Sequence, residues 1–231
     1  MTANDAIKIA INEVGVTEYP PKSNNVKYNT EYYGRPVSGD AYPWCCAFVW
    51  WIFRGIKNFP KTASCVTLAN YFKKEGRFFT SNPIPGDIVF FKFGSARGWT
   101  NHVGLVIGLQ GDAKITVEGN TSINSNDNGG AVMRRTRKSN IVGYGRPIYD
   151  NSNIPVQTQV SALTTPTLKF GDKNEYVRAW QKMLNLHKYN CGAEDGLYGP
   201  STLRAVKKWQ EDHGLDPDGI IGPKTWDTVG R

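Results

Sequence analysis

Nucleophilic catalysis by cysteine needs three side chains. A thiolate attacks, an imidazole carries the proton, and a third group holds the imidazole in one tautomer. The sequence is sparing with the first two: its cysteines are Cys45, Cys46, Cys65 and Cys191, and its histidines are His102, His187 and His213. Within residues 1–150 His102 stands alone, so a Cys–His pair in that part of the chain must use it. Two cysteines sit side by side in the apolar stretch YPWCCAFVWW, 42–51. Cys45 falls in the first turn of the helix expected there, where free amides and the positive dipole end lower a thiol pKa and can hold an oxyanion. His102 opens the run HVGLVIGL after a polar turn, where an imidazole could face a cleft. Glu118 and Asn120 lie two apart in TVEGN. Residues i and i+2 of a strand share a face, so either could orient the imidazole. Each residue also has a plain structural reading: a packing thiol, a hydrogen-bonded strand histidine, a surface carboxylate. What sets them apart is their order along the chain, a cysteine on a helix, then strands carrying a histidine and Glu-x-Asn.

The elements that would position these groups follow from the hydrophobic pattern. Ala6, Ile7, Ala10, Ile11 and Val14 make one stripe of an amphipathic helix. Residues 17–43 are rich in Pro, Asn, Gly and Tyr and read as loop. The stretch WCCAFVWWIF reads as a buried helix ended at Gly55, with Trp50 and Trp51 buried in it. TASCVTLANYFKKEGRF reads as another helix, with Cys65, Leu68 and Phe72 on one face. After NPIPGD the pattern turns to strands at 88–93, 102–109, 114–119, 131–137 and 141–149, separated by turn-forming clusters. Helices followed by strands on short turns predict an α+β domain with an antiparallel sheet.

Residues 151–166 are poor in charge and aromatic side chains and are expected to be a linker. It would separate a domain at 1–150 from a smaller one at 167–231. The smaller domain holds a repeat: DGLYGPST (195–202) returns as DGIIGPKT (218–225). In each copy Gly permits a tight turn, Asp can accept from nearby amides, and Pro can open a helix. With the preceding helix NEYVRAWQKMLNLH this predicts a three-helix module with Trp180, Val206, Trp209 and Trp226 in its core. Tyr198 is expected to be exposed in the first repeat turn, as a sugar or peptide contact or as a hydrophobic cap.

Charge is uneven. Residues 1–150 hold 18 basic against 11 acidic side chains, a net of +7, and residues 151–231 hold 10 against 9, a net of +1. The excess favours a polyanionic partner. The run RRTRK at 134–138 reads as a solvated strand edge. No apolar run reaches the length of a membrane span, so no membrane insertion is expected. The amphipathic start is unlike a signal peptide, which predicts synthesis in the cytoplasm. No CxxC pair or Cys/His cluster suggests zinc, and the four cysteines read as free thiols.

YPWCCAFVWW, NHVGLVIG and TVEGNTS together resemble the signatures of the CHAP domain, the cysteine- and histidine-dependent amidohydrolases/peptidases with a papain-like core. The resemblance covers most of 1–150. It implies that Cys45, directly after Trp44, is the nucleophile, and that Cys46 takes the place of a small residue and packs. It implies that His102 is the general base and that Glu118 and Asn120 belong to the EGN whose carboxylate orients it. Some members bind calcium in an Asp-rich loop, but residues 20–44 hold only Glu31 and Asp40 as acids, so no metal or cofactor is expected. Trp99 is a candidate for shaping the substrate groove. Residues 167–231 resemble the three-helix peptidoglycan-binding module of bacterial and phage wall hydrolases. The combination implies a phage-type endolysin: a monomer made in the host cytoplasm, let out through a holin, and hydrolysing an amide of Gram-positive peptidoglycan with help from anionic wall polymers. An NlpC-type wall peptidase, a wall-binding protein without activity and a nucleic-acid binder are the alternatives. The last has only the charge in its favour.

Overall fold

A computed structural model describes residues 1–95, 98–122, 125, 126, 128–150, 166–226 and 228; the expected linker at 151–166 lies outside them except for its last residue. The chain begins with helix α1 (Ala3–Asn12), opened by a reciprocal cap in which Thr2 accepts from the Asp5 amide and Asp5 accepts from the Thr2 amide. Ala3, Ala6, Ile7 and Ala10 are its buried face. Helix α2 (Lys27–Tyr33) lies inside the stretch read as loop. It has no side-chain cap at its start, and Gly34 ends it in the left-handed region. It forms because Tyr28 is driven into the core against Trp44, Phe48 and Trp51, a tertiary contact that outweighs weak local propensity.

Helix α3 (Cys45–Phe53) buries Cys45 through Val49, Ile52 and Phe53. Trp50 and Trp51 are only half-buried, contrary to expectation. Lys61 lies over the Trp50 ring, and Arg54 and Lys27 lie over Trp51. Helix α4 (Cys65–Lys74) starts at Ser64, whose hydroxyl accepts from the Thr67 amide.

Among the described residues six strands form one antiparallel sheet: β1 (Phe78–Phe79), β2 (Ile88–Phe91), β3 (His102–Gln110), β4 (Ala113–Thr121), β5 (Ala131–Arg137) and β6 (Ile141–Gly145), in the order β1-β6-β2-β3-β4-β5. β1 was hidden by its two-residue length. Alternation sorts the side chains: Ile88, Phe90, Val103, Leu105, Ile107, Ile115, Val117 and Val132 meet the helices in the main core. Val89, Phe91, Val106 and Tyr144 form a smaller cluster on the opposite face. The sheet therefore has two dry faces, which is why its strands read as nearly continuous apolar runs.

The second domain has helices α5 (Glu175–Leu186), α6 (Pro200–Asp212) and the single turn α7 (Pro223–Trp226). Its repeat is held by two buried glutamines in equivalent roles. The Gln181 amide nitrogen donates to Asp195 Oδ1, Leu197 O and Thr202 Oγ1, and its oxygen accepts from Gly196 N. Gln210 repeats this with Asp218, Ile220 O, Thr225 Oγ1 and Gly219 N. The repeat aspartates also accept from the amides of Leu197 and Ile220, closing each turn. Trp180, Trp209 and Trp226 pack edge to face in the core. Tyr198, expected to be exposed, is fully buried and donates its hydroxyl to Gly219 O, so it ties one repeat to the other. The preceding Leu197 is the exposed member of that turn.

Candidate active site

Cys45 is the first residue of α3. Trp44 precedes it as the N-cap residue and makes no side-chain cap. The first intrahelical bond runs from Phe48 N to Trp44 O, so the amides of the first turn have no partner within the helix. Trp44 is itself pinned: it is fully buried, and its indole N–H donates to Glu18 Oε2, which also accepts from Asn24 N.

His102 opens β3 on the face opposite the main core, between the rings of Phe91 and Phe93. β3 and β4 are registered with Gly104 opposite Glu118. Glu118 therefore lies diagonal to His102, and its carboxylate reaches across: His102 Nε2 is 3.0 Å from Glu118 Oε2. Gly104 leaves the room for this, since a Cβ there would stand 2.5 Å from Glu118 Cγ. The other imidazole nitrogen, Nδ1, is buried without a hydrogen-bond partner, and the Cys45 thiol interacts with the same ring. An imidazole so placed has one nitrogen fixed by a carboxylate and one left for a thiol.

Glu118 is fully buried and heavily partnered. It accepts from Arg137 Nε at 2.8 Å, from Arg137 Nη2, and from Thr116 Oγ1 at 2.5 Å. Burial by itself would raise its pKa; the hydrogen bonds from Arg137 and His102 outweigh this and bring it down to about 2. Burial would lower the His102 pKa, but Cys45 and Glu118 carry it up to about 9. The Cys45 thiol is pushed well above its usual range by its hydrogen bond with Cys65 and by burial, with His102 pulling the other way. Cys45 and His102 thus share one proton beside an ionised Glu118, and the thiol becomes able to attack when His102 takes that proton and becomes an imidazolium.

The sequence expectations are resolved unevenly. Cys45, His102 and Glu118 come together. Asn120 does not join them. The pairing of β4 with β5 shifts between Glu118 and Thr121, and Asn120 has a left-handed φ of 57°, so the i, i+2 alternation that would have aligned it with Glu118 is broken. Its side chain accepts from Gly130 N and donates to Asn128 Oδ1, holding the loop after β4. Gly119 between them lets β4 approach α3, because a Cβ there would stand 2.7 Å from Phe48 Cβ. Trp99 is half-buried, packed edge to face on Phe78 with Lys73 Nζ 3.5 Å from its ring centre. Cys46 is wholly buried in the core.

The run at 134–138 is a correction. β5 is an edge strand, but Arg134 and Arg137 are buried, and Arg137 pairs with the buried carboxylate. A buried glutamate flanked by a basic strand is the signal that could have located Arg137. Cys65, whose sulfur lies 3.6 Å from that of Cys45, left no such signal in the sequence.

A pocket of about 720 Å³ is lined by Glu18, Asn24, Asp40, Asn128, Gly129 and Gly130 among others, and by none of Cys45, His102 or Glu118. Glu18 connects it to Trp44, and Gly130 connects it to Asn120.

Residues 37–120 match the CHAP domain family, and residues 173–229 match the putative peptidoglycan binding domain family. The chain thus carries a CHAP domain followed by a peptidoglycan-binding domain. It is 45% identical over 66 residues to an uncharacterized protein in the bpoA1 3′ region of Kitasatospora aureofaciens, covering 28% of this chain and 56% of that one. It is 39% identical over 67 residues to a zinc D-Ala-D-Ala carboxypeptidase of Streptomyces albus G, covering 27% and 26%. It is 34% identical over 71 residues to a spore cortex-lytic enzyme of Bacillus subtilis, covering 30% and 23%. The chain spans about half the length of the first of these curated relatives and about a quarter of the other two.

Proposed function

We propose that this protein is a peptidoglycan hydrolase that cleaves an amide of the bacterial cell wall with Cys45 as nucleophile. The observation that carries the reading is the imidazole of His102, held at Nε2 by a buried carboxylate, unpartnered at Nδ1, and interacting with the Cys45 thiol. The peptidoglycan-binding match in the same chain supports the substrate class.

In this mechanism His102 takes the Cys45 proton, the resulting thiolate attacks the carbonyl carbon of a wall peptide, and the oxyanion is held by the free amides at the start of α3. The imidazolium of His102 gives its proton to the departing nitrogen, and the C–N bond breaks to leave a thioester. His102, now neutral, takes a proton from water, whose oxygen displaces the Cys45 sulfur and releases a carboxylic acid. Glu118 keeps the ring in place and stabilises its charged form, and Arg137 keeps Glu118 ionised. The scissile bond is the N-acetylmuramoyl-L-alanine amide or a peptide bond of the stem or crossbridge. The C-terminal domain raises the local concentration of the active site at an insoluble substrate, and the basic first domain suits anionic wall polymers. A phage-type endolysin acting at the wall fits this pairing of domains.

The test is clearing of purified Gram-positive peptidoglycan by wild type, Cys45→Ala and Cys46→Ala, with pelleting to measure wall binding. Wild type and Cys46→Ala are expected to clear the wall, and Cys45→Ala to bind it without clearing. Mass spectrometry of the fragments identifies the bond. A Cys45→Ala protein that still clears the wall sinks the proposal.

A further inference from the structure

Cys65 has no part in the mechanism above, yet its sulfur is hydrogen-bonded to that of Cys45 at 3.6 Å. The two residues are twenty positions apart and occupy equivalent places, each the first residue of its helix, α3 and α4. Both thiols sit at positive dipole ends, but both are held well above the usual thiol range, Cys45 by its contact with Cys65 and by burial, and Cys65, although Cys45 pulls it down, by Cys46 and burial. Both keep a trace of surface, 4% for Cys45 and 8% for Cys65, whereas Cys46 has none. A disulfide needs its sulfurs about 2.05 Å apart, so closing this contact asks each sulfur to move by less than about 1 Å.

We propose that Cys45 and Cys65 form an oxidative modification site, in which a hydroperoxide oxidises Cys45 and Cys65 resolves the product into a reversible disulfide. In the first step the Cys45 thiolate attacks one peroxide oxygen. The O–O bond breaks, Cys45 becomes a sulfenic acid, and the other oxygen leaves as water with a proton from His102. In the second step the Cys65 sulfur attacks the Cys45 sulfur. The S–O bond breaks, and the oxygen leaves as water with the Cys65 proton. Two thiols lose two electrons and two protons, and one hydrogen peroxide becomes two waters. A dithiol reductant reverses the bond by exchange. Cys45 is the site of attack because His102 stabilises its thiolate, while Cys46 lies inside the core. Cys65 keeps oxidised Cys45 from passing to the sulfinic and sulfonic acids, from which no thiol recovers it. The loss of activity rests on Cys45 being the nucleophile; the bond itself does not.

The experiment treats reduced full-length protein with hydrogen peroxide, blocks residual thiols, and maps tryptic peptides alongside wall clearing. Cys45 and Cys46 share the peptide 28–54, and Cys65 lies on 62–73. The expected result is a cross-link between these peptides in wild type and Cys46→Ala and none in Cys65→Ala. Wall clearing by wild type is expected to be lost with the cross-link and restored by dithiothreitol. In Cys65→Ala, scored against its own reduced activity, peroxide inactivation is expected to be permanent. No cross-link in wild type, or a cross-link that persists in Cys45→Ala, overturns the proposal. A cross-link in protein that never clears the wall even when reduced leaves the modification site standing and removes the hydrolase reading instead. Full clearing by quantitatively cross-linked protein removes Cys45 as the nucleophile.

Discussion

The two domains solve the same physical problem, a polar side chain in a dry interior, and solve it to different ends. In the C-terminal domain Gln181 and Gln210 are almost wholly buried, and both the nitrogen and the oxygen of each amide are used. Nothing is left over, and the result is a turn locked to a helix, made twice. In the first domain His102 is equally buried, but only one of its ring nitrogens is partnered. Completing the hydrogen bonds makes architecture; leaving one donor or acceptor over, on a ring that also interacts with a thiol, makes a candidate reactive site. The charges differ as well. The glutamines are neutral and cost little beyond their own desolvation. The candidate site buries a carboxylate, an imidazole and a guanidinium together, which is tolerable only while all three are present.

That contrast can be broken most forcefully at Glu118. Replacing it by Gln removes the negative charge that Arg137 and His102 share. Wall clearing is expected to fall by about 10²–10⁴-fold, the range for loss of a residue that orients a catalytic imidazole. The first domain should lose about 3–5 kcal/mol of stability from the stranded buried charges. Chemical denaturation and turbidity assays read the two effects. Unchanged clearing would mean that the imidazole needs no carboxylate.

A smaller effect is expected in the other domain. Gln210→Leu leaves the buried Gly219 N without its acceptor, at about 1–3 kcal/mol. The C-terminal transition should shift down and wall pelleting should weaken, while hydrolysis of soluble wall fragments stays near wild type. Loss of that soluble activity would show that the module supports the site itself.

A further effect is a pH dependence confined to the charged group. Glu118 is lowered from 4.5 to about 2, so its contribution to stability is complete above pH 4.5 and is lost as pH falls through about 2. His102 is raised from 6.5 to about 9, so its contribution is complete below pH 6.5 and is lost as pH rises through about 9. Thermal unfolding of the first domain should therefore be most favourable to the fold between pH 4.5 and 6.5. His102→Gln should flatten the alkaline decline, as calorimetry across that range would register. A decline of the same size in the variant would place its origin elsewhere.

The local reading of the sequence reached far where chemistry is local. A cysteine behind Trp44 at the start of an apolar run is the start of a helix whatever surrounds it. The DGxxGPxT repeats specify their turns through aspartates that bond amides two residues away. A single histidine in the first domain leaves one candidate for a base. Helix α2 was missed because Tyr28 earns its place only against α3, and β1 because a two-residue strand carries no periodicity.

The remaining questions were decided by contacts that no local pattern encodes. The choice between Glu118 and Asn120 depends on strand register and on one left-handed residue, and both appear only when β3, β4 and β5 are paired. Arg137 looked like a solvent-facing charge until its strand was laid beside a buried carboxylate. Tyr198 looked exposed until the second repeat was folded onto the first. Cys65 became a neighbour of Cys45 only when two helix starts converged. Composition and spacing determine which elements form and which residue types are available. The pairing of distant segments decides which of those side chains meet, because a partner many residues away is chosen by packing and register and leaves no periodic trace in the chain.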